Sequence, residues 1–144
     1  MRRIRFKARS LKTNEMVEGY YVLTNIARLD SENRVIGFDN NHCIFCDEPG
    51  CRNGSYWVEI DPDTLCQQTG MDDMYMMPIW EHDIVKLIAP KDSEEASLHE
   101  QVAEVIFHQT AYYLHLDCGY NYQIAVLRGI YDMQVIGNIY ETET

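Results

Sequence analysis

Apolar and polar residues alternate over short stretches along most of this chain, which is the pattern of half-buried β-strands. The first stretch shows it clearly, because Ile4, Phe6 and Ala8 alternate with basic residues. Further stretches rich in Val, Ile, Tyr and Thr are also typical of strands, and they cover residues 17–26, 35–38, 42–46, 56–60, 79–88, 102–107, 111–116, 123–129 and 133–140. The pattern predicts a mainly β fold (or a β-rich α+β fold), built as a small barrel or sandwich-type sheet with one or two short helices.

Polar and glycine-containing segments separate these strands. Residues 11–15 predict the turn of a hairpin between the first two strands, and residues 30–33 and 39–41 predict two further turns. The segment DEPGCRNGS at residues 47–55 contains the turn pairs Pro-Gly and Asn-Gly, so we expect a loop there.

Two short helical segments are predicted between the strands. Asp61 as a cap, followed by Pro62 in a first turn, favours one helical turn through residues 65–67. A second short helix is predicted to begin at Ser93, because acidic residues follow it and suit the N-terminal end of a helix dipole.

The length of the chain suits one folding unit. With 144 residues, of which 46% are hydrophobic, it is long enough to bury a core without disulfides or a metal. The sequence contains no internal repeat and no linker. We therefore expect a single domain over residues 1–144, with the polar connection at 89–97 as the alternative point of division.

The net charge of −11 is unevenly distributed. Residues 1–12 contain six basic and no acidic residues, which leaves six basic against 23 acidic residues, or −17, in the rest. Such an acidic body disfavours nucleic-acid binding. The basic start is predicted to be a strand whose basic residues face outward, towards acids on neighbouring strands (Arg3, Arg5, Lys7 and Arg9); a nucleic-acid arm is the alternative.

Several features bear on location. The longest apolar clusters are strand-sized, well short of the ~20 residues that a membrane helix requires. The basic N-terminus lacks the apolar core of a signal peptide. Five cysteines are an odd number, which favours reduced thiols. We expect a cytoplasmic protein with no membrane contact.

Three segments share their order and spacing with one known family. They are IRFKARSLKTNEMVEGYYV at residues 4–22, TLCQQTGMDDMYMMPIWEHDIVKL at 64–87 and MQVIGNIYE at 133–141. The middle segment is similar to Thr-Val-Gly-Gln-x-Thr-Gly-Leu-x-Asp followed by Ile-Tyr-Glu-Gly-Asp-Ile-Val, and the last to Val-Ile-Gly-Asn-Ile-Tyr-Glu. Together the segments resemble the YopX family of bacteriophages and prophage regions.

The chain departs from this family pattern at a few positions. Cys66 and His82 stand where the pattern has Gly, and Met76-Met77-Pro78 replaces an Asn-Gly-Lys turn. The resemblance implies a β-rich, phage-associated protein. It supplies no catalytic residue to carry over.

The first candidate site is a metal cluster formed by His42, Cys43, Cys46 and Cys51. Thiolates with two residues between them, together with a third thiol and an imidazole, can form a tetrahedral zinc centre. However, Cys43 and Cys46 lie in a predicted strand, where side chains three residues apart point to opposite faces. We therefore expect buried thiols and no metal, with a structural zinc site as the alternative.

Two further candidates depend on carboxylates. Glu81, His82 and Asp83 resemble an acid–base set, but in a strand His82 faces away from its two acidic neighbours. The resemblance to the YopX pattern implies that Asp83 stands where a turn enters a strand, and its carboxylate is expected to accept backbone N–H bonds there. A second group of carboxylates lacks the regular spacing of a calcium loop and is predicted to be a solvated acidic surface (Asp61, Asp63, Asp72 and Asp73).

Aromatic residues are frequent in the last third of the chain. Stacked aromatic rings can bind bases or sugars, but the acidic charge disfavours nucleic acid. We expect core and strand-pair packing, with a protein-binding patch as the alternative, for Tyr112, Tyr113, Tyr120, Tyr122 and Tyr131.

The sequence contains no phosphate-binding glycine loop, dinucleotide-binding glycine motif or hydrolase motif. We expect a non-enzymatic protein, without a cofactor, that binds a protein partner or associates with itself through sheet edges. One alternative is the zinc module described above. The other is an unrecognised enzyme in which a histidine meets carboxylates in a cleft (His82, His108 or His115).

Overall fold

A computed structural model describes residues 4–46, 57–89 and 97–141. Strands dominate this part of the chain, and the predicted mainly β fold is confirmed. The strands are β1 (Phe6–Arg9), β2 (Met16–Leu29), β3 (Val35–Phe45), β4 (Trp57–Glu59), β5 (Cys66–Asp72), β6 (Pro78–Trp80), β7 (Asp83–Ile88), β8 (Val102–His108), β9 (Ala111–Leu116), β10 (Asn121–Gln123) and β11 (Asp132–Asn138). A 3-10 turn covers Pro62–Thr64, and one short helix, α1, covers Ile124–Leu127.

The chain divides into two compact units between Gln67 and Gln68, inside β5. Residues 90–96, which contain Ser93 and most of the predicted point of division at 89–97, lie outside the described residues. The single domain over residues 1–144 stays a prediction.

In the first unit the strands are antiparallel in the order β4-β3-β2-β1, and the first two residues of β5 pair with β1. Strand side chains that face inward form a small apolar core, which excludes water from one side of the sheet. Its buried members are Ala8, Ile44, Cys46 and Ile60.

The hairpin of β2 and β3 is longer than the sequence predicted. The turn expected at residues 39–41 is wrong, because these residues pair in register with Thr24, Asn25 and Ile26. Cross-strand hydrogen bonds along β2 therefore override the turn preference of the Asp-Asn-Asn sequence. The predicted turn at 30–33 is confirmed, since the chain reverses between Leu29 and Val35.

The predicted faces of β1 are only partly correct. Ala8 is buried as expected, but Lys7 is 7% exposed and Ile4 is 56% exposed. Lys7 lies directly opposite Glu18 of β2, so the expected pairing of a basic residue with an acid is confirmed there. A lysine can bury its methylene stem beside such a partner, which explains why a basic residue occupies a covered position.

The second unit contains an antiparallel sheet in the order β10-β9-β8-β7-β11, and the rest of β5 pairs with β6. Burial alternates along β7, as expected for a strand with one covered face. The core of this unit consists of Ile79, Val85, Leu87, Ala103, Val105, Leu114, Leu116, Ile124, Leu127, Tyr131 and Met133.

Three predicted elements have different boundaries. The strand expected at 123–129 is wrong: β10 ends at Gln123 and α1 follows, with Ile124 and Leu127 buried three residues apart on one helix face. The helical turn expected through 65–67 is wrong in position, because Asp61 caps a 3-10 turn that ends at Thr64 and β5 begins at Cys66.

The third difference concerns the strand expected at 79–88. The chain turns at Glu81 and His82, so β6 ends before this turn and β7 begins after it. His82 has φ 68°, a left-handed conformation that cannot continue a strand.

Candidate functional site

Asp83 fixes the turn that enters β7. Its side chain is 1% exposed, and its Oδ2 accepts a hydrogen bond from the Trp80 backbone N–H at 2.7 Å. Its Oδ1 accepts from the side-chain amide of Asn138 at 2.9 Å. The predicted role of this carboxylate as a backbone acceptor is confirmed.

His82 faces a different partner from the one that a catalytic triplet would need. Its Nδ1 lies 3.2 Å from Oε2 of Glu104, and its ring meets the Tyr140 ring edge-on at 5.2 Å between centroids. The prediction that residues 81–83 lie in one strand is wrong, because the turn separates them. The structure therefore pairs the imidazole with a carboxylate of β8, and Asp83 is occupied by backbone and amide donors.

Asp73 is also a structural carboxylate, and its predicted place on a solvated surface is wrong. It is 8% exposed. Its Oδ1 accepts from the backbone N–H groups of Tyr75 and Met77, both at 2.9 Å, and its Oδ2 accepts from that of Val135 at 3.0 Å. A carboxylate with three backbone donors holds a turn in one conformation.

The other predicted carboxylates have separate positions. Asp61 caps the 3-10 turn and accepts from the Asp63 backbone N–H at 3.0 Å. Asp72 is exposed at the end of β5. Within residues 4–46, 57–89 and 97–141, no group of three or more His, Cys, Asp or Glu side chains is arranged to hold a metal ion.

Two of the proposed zinc ligands, His42 and Cys43, lie near the end of β3, and Cys46 directly follows this strand. Cys43 and Cys46 are buried and outside any disulfide, and the His42 Nδ1 is hydrogen-bonded to the Tyr21 hydroxyl. Burial raises the pKa of Cys43, a hydrogen bond with Thr24 opposes this, and the charge of Glu59 raises it further. Cys51 lies outside the described residues, so the zinc module stays a prediction.

The tyrosines divide into buried and exposed members. Tyr131 is in the core, where its hydroxyl accepts from the Leu98 backbone N–H at 3.3 Å. Tyr112 packs on Phe107 at 4.9 Å between centroids, and burial raises its pKa, with a further contribution from the charge of Glu81. Tyr120 and Tyr122 are exposed, and their ring centroids lie 6.5 Å apart. The predicted core packing is confirmed for Tyr131.

The remaining candidate histidines contact side chains of β9 and β10. The Nδ1 of His115 lies 2.6 Å from the amide oxygen of Asn121, and the ring of His108 meets Tyr113 at 6.4 Å. Of these three candidate histidines, His82 is the one whose described hydrogen bond is with a carboxylate, that of Glu104.

The most prominent surface feature of the first unit is the outer part of the β2–β3 hairpin, residues 20–29 and 35–41, which we call the ribbon. β1 pairs with β2 as far as Gly19, and β4 pairs with β3 as far as Cys43. Beyond these points the described part of the chain places no further strand on either edge of the ribbon. Two-stranded ribbons gain little stability on their own in water.

One face of the ribbon carries an apolar stripe. Residues directly opposite each other in antiparallel strands share a face, and β2 pairs with β3 through Leu23 and His42, Ala27 and Phe38, and Leu29 and Val35. All five apolar members are exposed, with Phe38 at 66%: Leu23, Ala27, Leu29, Val35 and Phe38. The exposed pair Asn25–Asn40 shares this face and interrupts the stripe between Leu23 and Ala27. Exposed apolar surface on either side of such a pair marks interaction sites.

The stripe continues the face that covers the core. Tyr21 lies two residues before Leu23 in β2 and pairs with Ile44, which is fully buried. Side chains two apart in a strand share a face. The same row of side chains is therefore covered at its inner end and exposed at its outer end. This surface was not predicted from the sequence, because the turn predicted at 39–41 divided β3.

The two units differ in charge. Residues 1–67 contain nine basic and ten acidic residues, a net charge of −1, whereas residues 68–144 contain three basic and 13 acidic residues, a net charge of −10. Almost all of the negative charge therefore belongs to the second unit.

Comparison with known proteins agrees with the sequence segments quoted above. The model of the YopX protein family matches residues 5–144. The chain belongs to the YopX family. It is also similar to protein EF1440 from Enterococcus faecalis, whose crystal structure shares 26% sequence identity and a TM-score of 0.47, over 96% of this chain and 94% of that one. No curated protein matches the chain.

The residues that carry the YopX pattern have identifiable structural roles. Asp73, Asp83 and Asn138 hold turns and strand ends through the bonds described above. Gly19 lies against β3, where an added Cβ would collide with the carbonyl oxygen of Phe45. His82 occupies a left-handed position, which glycine adopts without strain. The YopX motifs thus specify backbone geometry.

A membrane-crossing helix is not found in the described ranges, since α1 has only four residues.

Proposed function

We propose that this YopX-family protein acts without catalysis, as a self-associating interaction module, and that two copies meet through the ribbon. The observation that carries the proposal is the exposed apolar stripe, which extends a buried core face onto a ribbon with two free edges in the described part of the chain. Burying such a surface against a second copy would remove apolar area from water and stabilise the ribbon.

Charge supports a second copy as the occupant. The first unit has a net charge of −1, so two ribbons can approach with little repulsion, whereas two second units of −10 each repel one another. Identical surfaces form closed, two-fold symmetric pairs. An antiparallel pair of stripes would place Phe38 of each copy near the centre of the contact.

Two observations support a non-enzymatic role. Two carboxylates of the YopX motifs, Asp73 and Asp83, accept backbone hydrogen bonds within the described residues. The imidazole beside them, His82, is packed against Tyr140 and paired with Glu104. These side chains are engaged in holding the fold, which leaves association as the better-supported activity.

The biological setting belongs to the same proposal. A phage or prophage origin is inferred from the family resemblance. A cytoplasmic location suits the described cysteines, since reducing compartments keep cysteines out of disulfides, and none of the four is in one: Cys43, Cys46, Cys66 and Cys118.

The test is sedimentation velocity over a wide concentration range. The unmodified protein should form a dimer, and Phe38→Ser should weaken the dimer at least about tenfold, since a central aromatic residue typically dominates an interface. The matched control is Ile139→Ser in the second unit, because Ile139 is also exposed. A protein that stays monomeric throughout, or equal effects of the two substitutions, would contradict the proposal.

A further inference from the structure

The turn between β5 and β6 exposes a cluster of large apolar side chains. Residues 74–77 of this turn are all apolar or aromatic, and none is buried: Met74 is 41% exposed, Tyr75 62%, Met76 81% and Met77 58%. Polar residues usually occupy such turns because the side chains face water. We call residues 74–77 the methionine turn.

The methionine turn is held rigidly despite its exposure. The Asp73 carboxylate accepts from the backbone N–H groups of Tyr75 and Met77, and its other oxygen accepts from Val135 of β11. The Met74 backbone N–H donates to the carbonyl of Met133 at 2.7 Å. The turn is thus fastened to β11 by two hydrogen bonds, so its side chains project from a fixed base.

The backbone at Met76 adds a second indication. Met76 has φ 63°, a left-handed conformation that an unbranched residue other than Gly or Asn rarely adopts. Asn occupies the corresponding position of the YopX pattern quoted above. The same conformation occurs at Glu100 and Gln109, so what distinguishes Met76 is its side chain, an exposed apolar group where the pattern has a polar one.

The charge of the unit that carries the methionine turn favours a basic partner. The turn belongs to the unit with 13 acidic and three basic residues, and Asp72 beside it is exposed. Methionine side chains are flexible and polarisable, so they adapt to apolar surfaces of varied shape. An acidic field combined with adaptable apolar groups is complementary to a segment that is basic on one face and apolar on the other.

We propose that the methionine turn is a docking site for a basic, amphipathic segment of another protein. The apolar face of that segment contacts Met74, Met76 and Met77, and its lysines or arginines lie in the field of the acidic unit. This inference goes beyond self-association, since it concerns a different surface and a different partner. Nucleic acids and anionic lipid surfaces are disfavoured because they share the sign of this unit's charge.

The test uses two synthetic peptides of about 18 residues, or about five helical turns. Both have leucines on one face; one has lysines on the other face and the second has glutamates. Fluorescence anisotropy of labelled peptide against the full chain should show saturable binding of the lysine peptide and none of the glutamate peptide. Binding should weaken as salt is raised, because screening reduces the attraction.

The variant M76N/M77Q removes apolar surface and preserves the turn, since Asn tolerates the left-handed conformation. It should weaken binding of the lysine peptide about tenfold or more, as for an interface centre, with an unchanged circular dichroism spectrum. Phe38→Ser is the control and should leave peptide binding intact, so this proposal and ribbon association can fail separately.

Three results would overturn the inference. They are absence of lysine-peptide binding, equal binding of the two peptides, and unchanged binding by M76N/M77Q. Vesicles of phosphatidylglycerol that bind the protein and release it on the same double substitution would also overturn it, by assigning the turn to a lipid surface.

Discussion

Asn138 and Asp83 are 55 residues apart in sequence, and the side-chain amide of Asn138 donates to Oδ1 of Asp83 at 2.9 Å. The two residues are also cross-strand partners at the ends of β11 and β7. Because Asn138 accepts in turn from the Tyr140 backbone N–H at 3.0 Å, the pair fixes both the end of β11 and the turn before β7. Two separate YopX motifs therefore meet in one buried polar contact.

Replacing Asp83 with Ala should lower the free energy of unfolding by about 3 kcal/mol, since it removes the acceptor of two buried donors. Urea unfolding followed by tryptophan fluorescence measures the loss. Asp72→Ala is the control, and as an exposed substitution it should change stability by less than about 0.5 kcal/mol. Equal losses for the two variants would contradict the assigned role of Asp83.

Because the backbone at His82 is left-handed, replacement by Gly and replacement by Ala should differ in their effect on stability. His82→Ala and His82→Gly both remove the contacts with Glu104 and Tyr140, but only Ala keeps a Cβ at φ 68°. His82→Gly should therefore be more stable than His82→Ala by about 1 kcal/mol. Thermal unfolding of the two variants side by side provides the comparison, and a more stable Ala variant would show that the turn relaxes to another conformation.

The tip of the hairpin should depend on pH through Asp30. The Arg34 backbone N–H, followed by that of Glu32 and the Arg34 side chain, lowers the pKa of Asp30 below 3.8, while burial opposes the shift. Because the pKa of Asp30 is lower in the folded protein, the ionised side chain stabilises the folded turn at pH values above the pKa of Asp30 in the unfolded chain. This stabilisation is lost as the pH falls through the pKa of Asp30 in the folded protein.

Amide NMR shifts of Glu32 and Arg34, followed from neutral pH to strongly acidic pH, measure this titration. They should change below pH 3.8 in the unmodified protein. Asp30→Asn keeps a side-chain acceptor but no titrating charge, so its shifts should lack the step. A step that persists in Asp30→Asn would assign the transition to another group.

The described thiols should differ in reactivity. Thiolates are the reactive species, and burial together with the charge of Glu59 raises the pKa of Cys43. Cys118 is exposed. At mildly alkaline pH, iodoacetamide should therefore modify Cys118 at least about tenfold faster than Cys43, as measured by peptide mass spectrometry. Similar rates would mean that β3 opens readily at Cys43, and labelling in urea, where both sites are accessible, is the control.

The sequence predicted strands better than the places where they end. The alternation along β7 and the core face of β9 were visible in the chain, because burial of one face imposes a period of two. The Asp-Asn-Asn sequence at 39–41 misled the prediction, since its local turn preference is weaker than nine consecutive cross-strand pairs between β2 and β3. The conformation of residues 39–41 is thus determined by pairing with β2, which the sequence of these three residues does not reveal.

Helix α1 shows a second limit. The run Ile124 to Leu127 is apolar throughout, so its period is ambiguous between strand and helix. Ile124 and Leu127 pack on the same core, and residues three apart share a face in a helix but not in a strand. The role of Asp83 could be predicted because the YopX pattern places it where a turn enters a strand, whereas the contact of Asp73 with Val135 joins residues 62 apart and left no signal in the sequence.

The exposed stripe on the ribbon has a practical consequence for purification. Sulfate salts strengthen the burial of apolar surface, so the folded protein should be retained on a hydrophobic-interaction column at a sulfate concentration that releases most acidic proteins. Phe38 supplies a large part of the exposed aromatic area, and chromatographic retention should therefore fall when it is replaced. The hairpin thus allows this strongly anionic protein to be purified by hydrophobic interaction at high salt, in addition to separation by its charge.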